Sequence, residues 1–248
     1  MKIIRDIPYA EGALSSELDV YMPSGEASAV FLYFHGGGLE HGDKKSAERF
    51  ADYLLERGIA VVSANYRMYP DASYPDFIID AALAVKWTKR FIAETYPEAR
   101  LFVGGSSAGG YISQMLCFDD SWLSAHEIKP SAIAGYLLDA GQPTCHFNVL
   151  RERGLDTRRV IIDETSPLYH IDSTQSDLPM LIIVSDNDME NRYEQTMLTL
   201  STLRHFGRAD TVTHIVMHGT HCNYVERIDD DGKSAFGKII LEFIGGIV

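Results

Sequence analysis

The residues that could do chemistry gather around one serine. Gly105-Ser106-Ser107-Ala108-Gly109 matches G-x-S-x-G, directly after the short apolar run Leu101-Phe102-Val103 and directly before a helical stretch. A serine hydroxyl is a weak nucleophile until a base takes its proton, and it must stand clear of its neighbours to reach a carbonyl. A sharp strand-to-helix turn lifts the hydroxyl off the sheet. It also aims the helix N-terminus and the N–H of Ala108 at the carbonyl under attack. Small flanking residues are required because bulky ones would collide in such a turn. Shifting the frame to Ser106 fails, since Ala108 would then hold the last glycine position. A glycine-rich turn without chemistry is the plain alternative.

A second cluster makes that alternative improbable. His35-Gly36-Gly37-Gly38 lies just past the strand-like run Ala29–His35. Consecutive glycines let a backbone turn its N–H groups toward a developing oxyanion, with no side chains in the way. A base and an acid should come late in the chain, in the order serine, acid, histidine. Met180–Val184 reads as a strand and is followed by Asp186 and Asp188, either of which could orient a histidine. Thr213–Met217 reads as the last long strand and is followed by His218 and His221. His218, at the strand end, reads better as a packed, hydrogen-bonded histidine.

Positioning these groups takes alternating elements. Ala29–His35 and Ile59–Asn65 are strand-like and bracket a helical stretch near Ser46–Arg57. Asp76–Tyr96 carries a helical stripe at Ile79, Leu83, Trp87 and Phe91. Ile133–Leu138 adds a strand, a helix falls near Tyr193–Phe206, and Phe236–Ile244 closes the chain as a helix. The alternation predicts an α/β fold: a mostly parallel central sheet with helices on both faces. Lys2–Ile7 and Glu17–Met22 have no helix between them and predict an antiparallel hairpin at one edge. No linker composition or repeat breaks the sequence, so 1–248 reads as a single domain. The stretch 141–172 fits neither period and reads as a small insertion over the site, with Phe147, Leu150 and Leu155 available to line an acyl pocket.

The pairing of His35-Gly36-Gly37-Gly38 with Gly105-Ser106-Ser107-Ala108-Gly109-Gly110 resembles the hormone-sensitive-lipase-like and acetyl-esterase-like branch of the α/β-hydrolases. Asn65-Tyr66-Arg67-Met68-Tyr69-Pro70-Asp71 with Pro75 is similar to that branch's Y-R-x-x-P-[ED] motif. Asp80 with Trp87 resembles its next helix, and Ser166-Pro167-Leu168 its S-P-L turn. The likeness runs from about Glu17 to the C-terminus. Two positions depart from it: Ser106 stands where many members carry Asp, and the chain opens on a strand pattern where they carry cap helices. The resemblance implies an α/β-hydrolase fold and selects Asp188 as acid and His221 as base. The Pro-Leu that usually follows the acid is Met189-Glu190 here.

Composition narrows the partners. Hydrophobic residues at 46% and charged residues at 23% describe an ordinary globular chain. The net charge of −13 argues against nucleic acid and anionic membrane, both of which reward Lys and Arg. Residues 1–6 lack the pattern of a signal peptide, and no apolar run approaches a membrane span. Cys117, Cys145 and Cys222 are odd in number and show no CxxC spacing, so they read as free thiols in the cytoplasm, with Cys222 a neighbour of the site. No histidine, His41 and His146 included, has metal-ligand spacing, and no cofactor is expected. His41 reads as a surface residue near the glycine loop.

The expected reaction is two-step acyl transfer. Ser107 attacks a small ester, His221 acts as base, Asp188 orients it, and the N–H groups of Gly37, Gly38 and Ala108 form the oxyanion hole. Short, uncharged acyl groups are expected over long lipids. An arylformamidase or amidase of the same fold is the enzymatic alternative, and a non-catalytic ligand-binding relative is the alternative of another class. Whether the protein is a monomer or a homodimer is left open by the sequence.

Overall fold

A computed structural model describes residues 1–10, 16–174 and 177–248. It holds eight strands in one sheet: β1 (Lys2–Pro8), β2 (Glu17–Met22), β3 (Ala29–Phe34), β4 (Ile59–Ala64), β5 (Arg100–Ser106), β6 (Gly135–Asp139), β7 (Met180–Asn187) and β8 (Val212–Thr220). Their order across the sheet is β1-β2-β4-β3-β5-β6-β7-β8. β1 and β2 pair antiparallel, β2 runs antiparallel to β4, and from β4 to β8 every pairing is parallel. The N-terminal hairpin expected at one edge is therefore present; residues 11–15, between its strands, lie outside the described residues.

The helices are α1 (Glu48–Leu55), α2 (Asp76–Thr95), α3 (Ala108–Phe118), α4 (Ser121–Ser124), α5 (Phe147–Glu152), α6 (Arg192–His205) and α7 (Ala235–Gly245). Strand alternation sorts the core into two layers. Ala29, Phe31 and Tyr33 of β3 pack with Phe50 and Leu54 of α1 and Phe236 and Ile240 of α7. Val30, Leu32 and Phe34 point the other way, onto Phe77, Ala81 and Val85 of α2 and Ile112 and Met115 of α3. Both faces are covered, so β3 and β4 are buried along their whole length, and Ser63 is the one non-aromatic polar side chain in either. β8 is the far edge, and its residues alternate between half-buried and exposed.

Most sequence expectations match these elements, with two shifts. β6 begins at Gly135 rather than Ile133, because Pro130–Ala132 form a 3-10 turn that ends just before it. β7 and β8 run past the apolar core, to Asn187 and Thr220, carried by pairing rather than by side-chain burial. Two ion networks brace the loops above the sheet. Lys44 is 4% exposed, and its ammonium sits 2.7 Å from Asp6 and 3.7 Å from Asp19, tying the segment after the glycine loop to the hairpin. Arg67 grips Asp80 with two nitrogens at 2.8 and 2.9 Å and reaches Asp76 at 3.0 Å, fixing the start of α2.

Candidate active site

The carboxyl ends of the parallel strands carry Ser107, Asp188, His221 and the glycine loop, where an open α/β sheet presents its loops to a ligand. Ser107 follows β5 directly and has φ 56° and ψ −112°, a strained conformation for a residue with a side chain. Two bonds hold it. The Ser107 N–H donates to the Asp139 carbonyl at 2.8 Å, and the Tyr111 N–H donates to the Ser107 carbonyl at 2.9 Å. The tight turn also needs Gly109: a Cβ there would lie 1.9 Å from the carbonyl oxygen of Phe34.

His221 follows β8, and its Nε2 lies 2.8 Å from the Ser107 hydroxyl. Its Nδ1 lies 2.5 Å from Asp188 Oδ1. The Asp188 carboxylate is wholly buried and also accepts the N–H groups of Met189 at 2.7 Å and Ser185 at 3.1 Å. Burial pushes its pKa up. The bond and charge of His221 and the two backbone donors more than offset that, holding the carboxyl below its ordinary value. Ser107, His221 and Asp188 are therefore brought together in one hydrogen-bonded line.

The other aspartate and histidine form a pair of their own. His218 Nδ1 meets Asp186 Oδ2 at 2.6 Å, and the Gly219 N–H donates to Asp186 Oδ1 at 2.9 Å. The expectation of a packed His218 needs correcting: its side chain is 97% exposed, because it projects from the edge strand into solvent.

The glycine loop stands opposite the serine. Gly37 and Gly38 have φ of +117° and +68°, and a Cβ on Gly37 would lie 2.0 Å from the His41 carbonyl oxygen. Among the described residues no protein acceptor engages the N–H groups of Gly37, Gly38 or Ala108. His35 anchors the loop from below: its ring stacks on Tyr66 at 4.5 Å, and its carbonyl accepts the Tyr66 hydroxyl at 2.8 Å. His41 is exposed on the loop's outer side and does not line the cleft.

A cleft of about 640 Å³ opens over Ser107. Phe147, Met189, Cys222 and Val225 supply apolar wall, while Asp43, Arg49 and Glu226 bring charge, the last two paired at 2.7 Å. Of the three apolar residues expected here from 141–172, only Phe147 reaches the cleft. Leu150 is fully buried in the core and Leu155 packs against it. Cys222 is partly exposed, with its sulfur 3.8 Å from His221 Nε2. Burial, aided by the charges of Asp139 and Asp188, raises its thiol well above the ordinary value, so it stays protonated and is a poor nucleophile.

Three residues of the site escape a motif reading. Asn148 of α5 donates its side-chain amide to the Gly38 carbonyl. The buried guanidinium of Arg192 donates to the Ala140 carbonyl, just beyond β6. Asp139, fully buried at the end of β6, accepts the Tyr224 hydroxyl. Only Asp139 left a trace in the sequence, as an acidic residue closing an apolar strand.

Comparison with known proteins finds similarity to hydrolases. The family model described as BD-FAE matches residues 18–128. Carboxylic ester hydrolase LipN of Mycobacterium tuberculosis is 30% identical over 122 residues, covering 48% of this chain and 32% of LipN. The chain thus matches about a third of that relative's length. Kynurenine formamidase of Danio rerio is 28% identical over 255 residues, covering 98% of this chain and 82% of that protein. The propionate-bound structure of the esterase Est2 from Thermogutta terrifontis superposes with a TM-score of 0.76 at 20% identity, over 99% of this chain and 94% of that one. Sheet order, serine turn and glycine loop together are those of the α/β-hydrolase fold. In its motifs the chain resembles the hormone-sensitive-lipase-like branch, and over about half of its length it is similar to LipN.

Proposed function

We propose that the protein is a serine hydrolase of small carboxylic esters, with Ser107 as nucleophile, His221 as general base and Asp188 orienting the base. One observation carries the reading: His221 offers Nε2 to Ser107 at 2.8 Å while Asp188 engages Nδ1 at 2.5 Å. With Nδ1 holding its proton toward Asp188, Nε2 is free to accept the serine proton. The serine oxygen then attacks the ester carbonyl, and the carbonyl oxygen takes the negative charge. The N–H groups of Gly37, Gly38 and Ala108 are the proposed donors to that oxyanion. Collapse expels the alcohol, protonated by His221, and water repeats the sequence to release the acid.

Several features support short substrates. Asp43, Arg49 and Glu226 interrupt the apolar lining of the cleft, which suits a small polar ester better than a long acyl chain. LipN and Est2 carry ester-hydrolase names. We read 1–248 as one domain in which 141–172 is a small insertion over the cleft; the position of Phe147 and the bond from Asn148 support this. Three free thiols fit a cytoplasmic setting. Among the described residues no helix is long and apolar enough to cross a membrane.

A second reading, hydrolysis of aryl formamides, is favoured by one fact: the formamidase relative is matched over 98% of this chain. Both reactions use the same serine, base and donors and differ in the leaving group. The test is a panel of phenyl and methyl esters of acetate and butyrate beside formanilide and N-formyl-2-aminoacetophenone, at near-neutral pH. Highest kcat/KM on an ester supports the first reading, and highest kcat/KM on a formamide replaces it with the second. Turnover of none would refute both.

A further inference from the structure

Asp139 is a buried acid for which the acyl-transfer chemistry has no use. It pairs with Ser106 across β5 and β6, and its main-chain carbonyl accepts the Ser107 N–H at 2.8 Å. Its carboxylate, fully buried, accepts the Tyr224 hydroxyl. Tyr224 is itself buried, in the 3-10 turn Asn223–Val225 that begins two residues after His221, and packs on Phe236 of α7 with ring centroids 6.2 Å apart. One residue thus holds the nucleophile's turn through its backbone and the base's loop through its side chain. We propose that Asp139 is a positioning residue of the site, which through Tyr224 locks the His221 loop against the Ser107 turn and lends its negative charge to the histidine. This rests on the reading of Ser107 and His221 as nucleophile and base.

A purely structural bridge would not require a charge. Burial pushes the carboxyl up to about 6, against the pull of the Ser106 and Tyr224 hydroxyls and of His221. Oδ2 has no hydrogen-bond partner among the described residues. An amide would accept the same hydroxyl without that cost. The groups around the carboxylate explain what the charge gains. His221, Cys222 and Tyr224 face it from the loop after β8, Asp188 from the turn after β7, Tyr33 from β3 and Ser106 from β5. Arg192 of α6 bonds the carbonyl of the next residue, Ala140. His221 is the member of this set that becomes cationic as Ser107 gives up its proton, and a second buried anion favours that state.

The test uses Tyr224→Phe, Asp139→Asn and the double variant, with kcat counted per active site by fluorophosphonate titration so that unfolded protein does not enter. Tyr224→Phe should lower kcat on phenyl butyrate about tenfold with KM held within about twofold, as loss of reacting geometry does. Asp139→Asn keeps the acceptor and removes the charge. It should move the acid limb of the kcat/KM profile to lower pH, which a packing role would not do. The double variant should show both effects together, the lowered kcat of Tyr224→Phe and the shifted acid limb of Asp139→Asn, because one substitution removes the link and the other the charge. A Tyr224→Phe kcat within about twofold of wild type, or an unmoved acid limb in Asp139→Asn, would overturn the proposal. Labelling of the wild type at Ser107 tests the underlying reading by itself, so the two failures are distinguishable.

Discussion

The side-chain amide of Asn148 donates to the main-chain carbonyl of Gly38, joining α5 to the glycine loop over the serine. The bond fixes the peptide plane that follows the proposed oxyanion donors, and Phe147 packs beside it, 3.2 Å from where a Cβ on Gly38 would sit. Asn148→Asp keeps the size and loses the donor. Its kcat should fall about tenfold, less than the hundredfold or more that follows direct loss of an oxyanion donor. Steady-state kinetics beside a thermal melt checks this; an unchanged kcat in a folded variant would mean that the loop holds its shape alone.

Two aspartate–histidine pairs bridge the ends of β7 and β8, and burial separates their roles. The Asp188 carboxylate is wholly buried and His221 is 22% exposed, whereas Asp186 and His218 are 43% and 97% exposed. Asp188→Asn should cost up to about ten-thousandfold in kcat, as in other triads whose histidine loses its orienting acid. Asp186→Asn and His218→Ala should stay within about threefold of wild type, since an exposed pair contributes little. The reverse ranking would move the acid to Asp186.

Asp139 also sets a pH dependence of stability. Its carboxyl lies at about 6 in the fold, above the ordinary value of about 3.9 for an unfolded chain. The folded state therefore holds this proton more tightly, and the associated stability is present below pH ~4 and lost as pH rises through about 6. Asp139→Asn removes the loss. The variant should be more stable than wild type at pH 8, by at most about 3 kcal/mol, with an advantage that shrinks toward pH 5. Urea unfolding at the two pH values measures it. An advantage that grew toward acid would show that the buried carboxylate is stabilised rather than strained.

Substrate length gives a further check. Acetyl and butyryl esters of one phenol should be cleaved with higher kcat/KM than octanoyl and palmitoyl esters, because charged residues interrupt the cleft wall. A maximum at palmitoyl, or a jump in rate when substrate forms an emulsion, would contradict the small-ester reading.

Local signals carried most of the fold and the central residues of the site. Ala29–Phe34 and Ile59–Ala64 were visible as strands because burial on both faces leaves them almost wholly apolar. Ser107 was visible because its strained turn admits only small neighbours at fixed spacing. Asp188 and His221 were separable from Asp186 and His218 only through resemblance, since both pairs follow strands equally well and differ in depth, which no local pattern records. Asn148 and Tyr224 stayed hidden for the same reason. Their partners, Gly38 and Asp139, lie 110 and 85 residues away in the chain, and only the assembled sheet brings them near.

The most direct test of the central claim is covalent labelling with a fluorophosphonate, read by intact mass and peptide mapping. Wild-type protein should take up one probe per chain, on Ser107, and lose ester turnover in proportion. Ser107→Ala should take up none, with turnover lowered on the order of a millionfold, as nucleophile removal does in other serine hydrolases. A folded wild type that resists the probe, a label on another residue, or a Ser107→Ala variant that keeps more than about a tenth of wild-type activity would contradict the assignment.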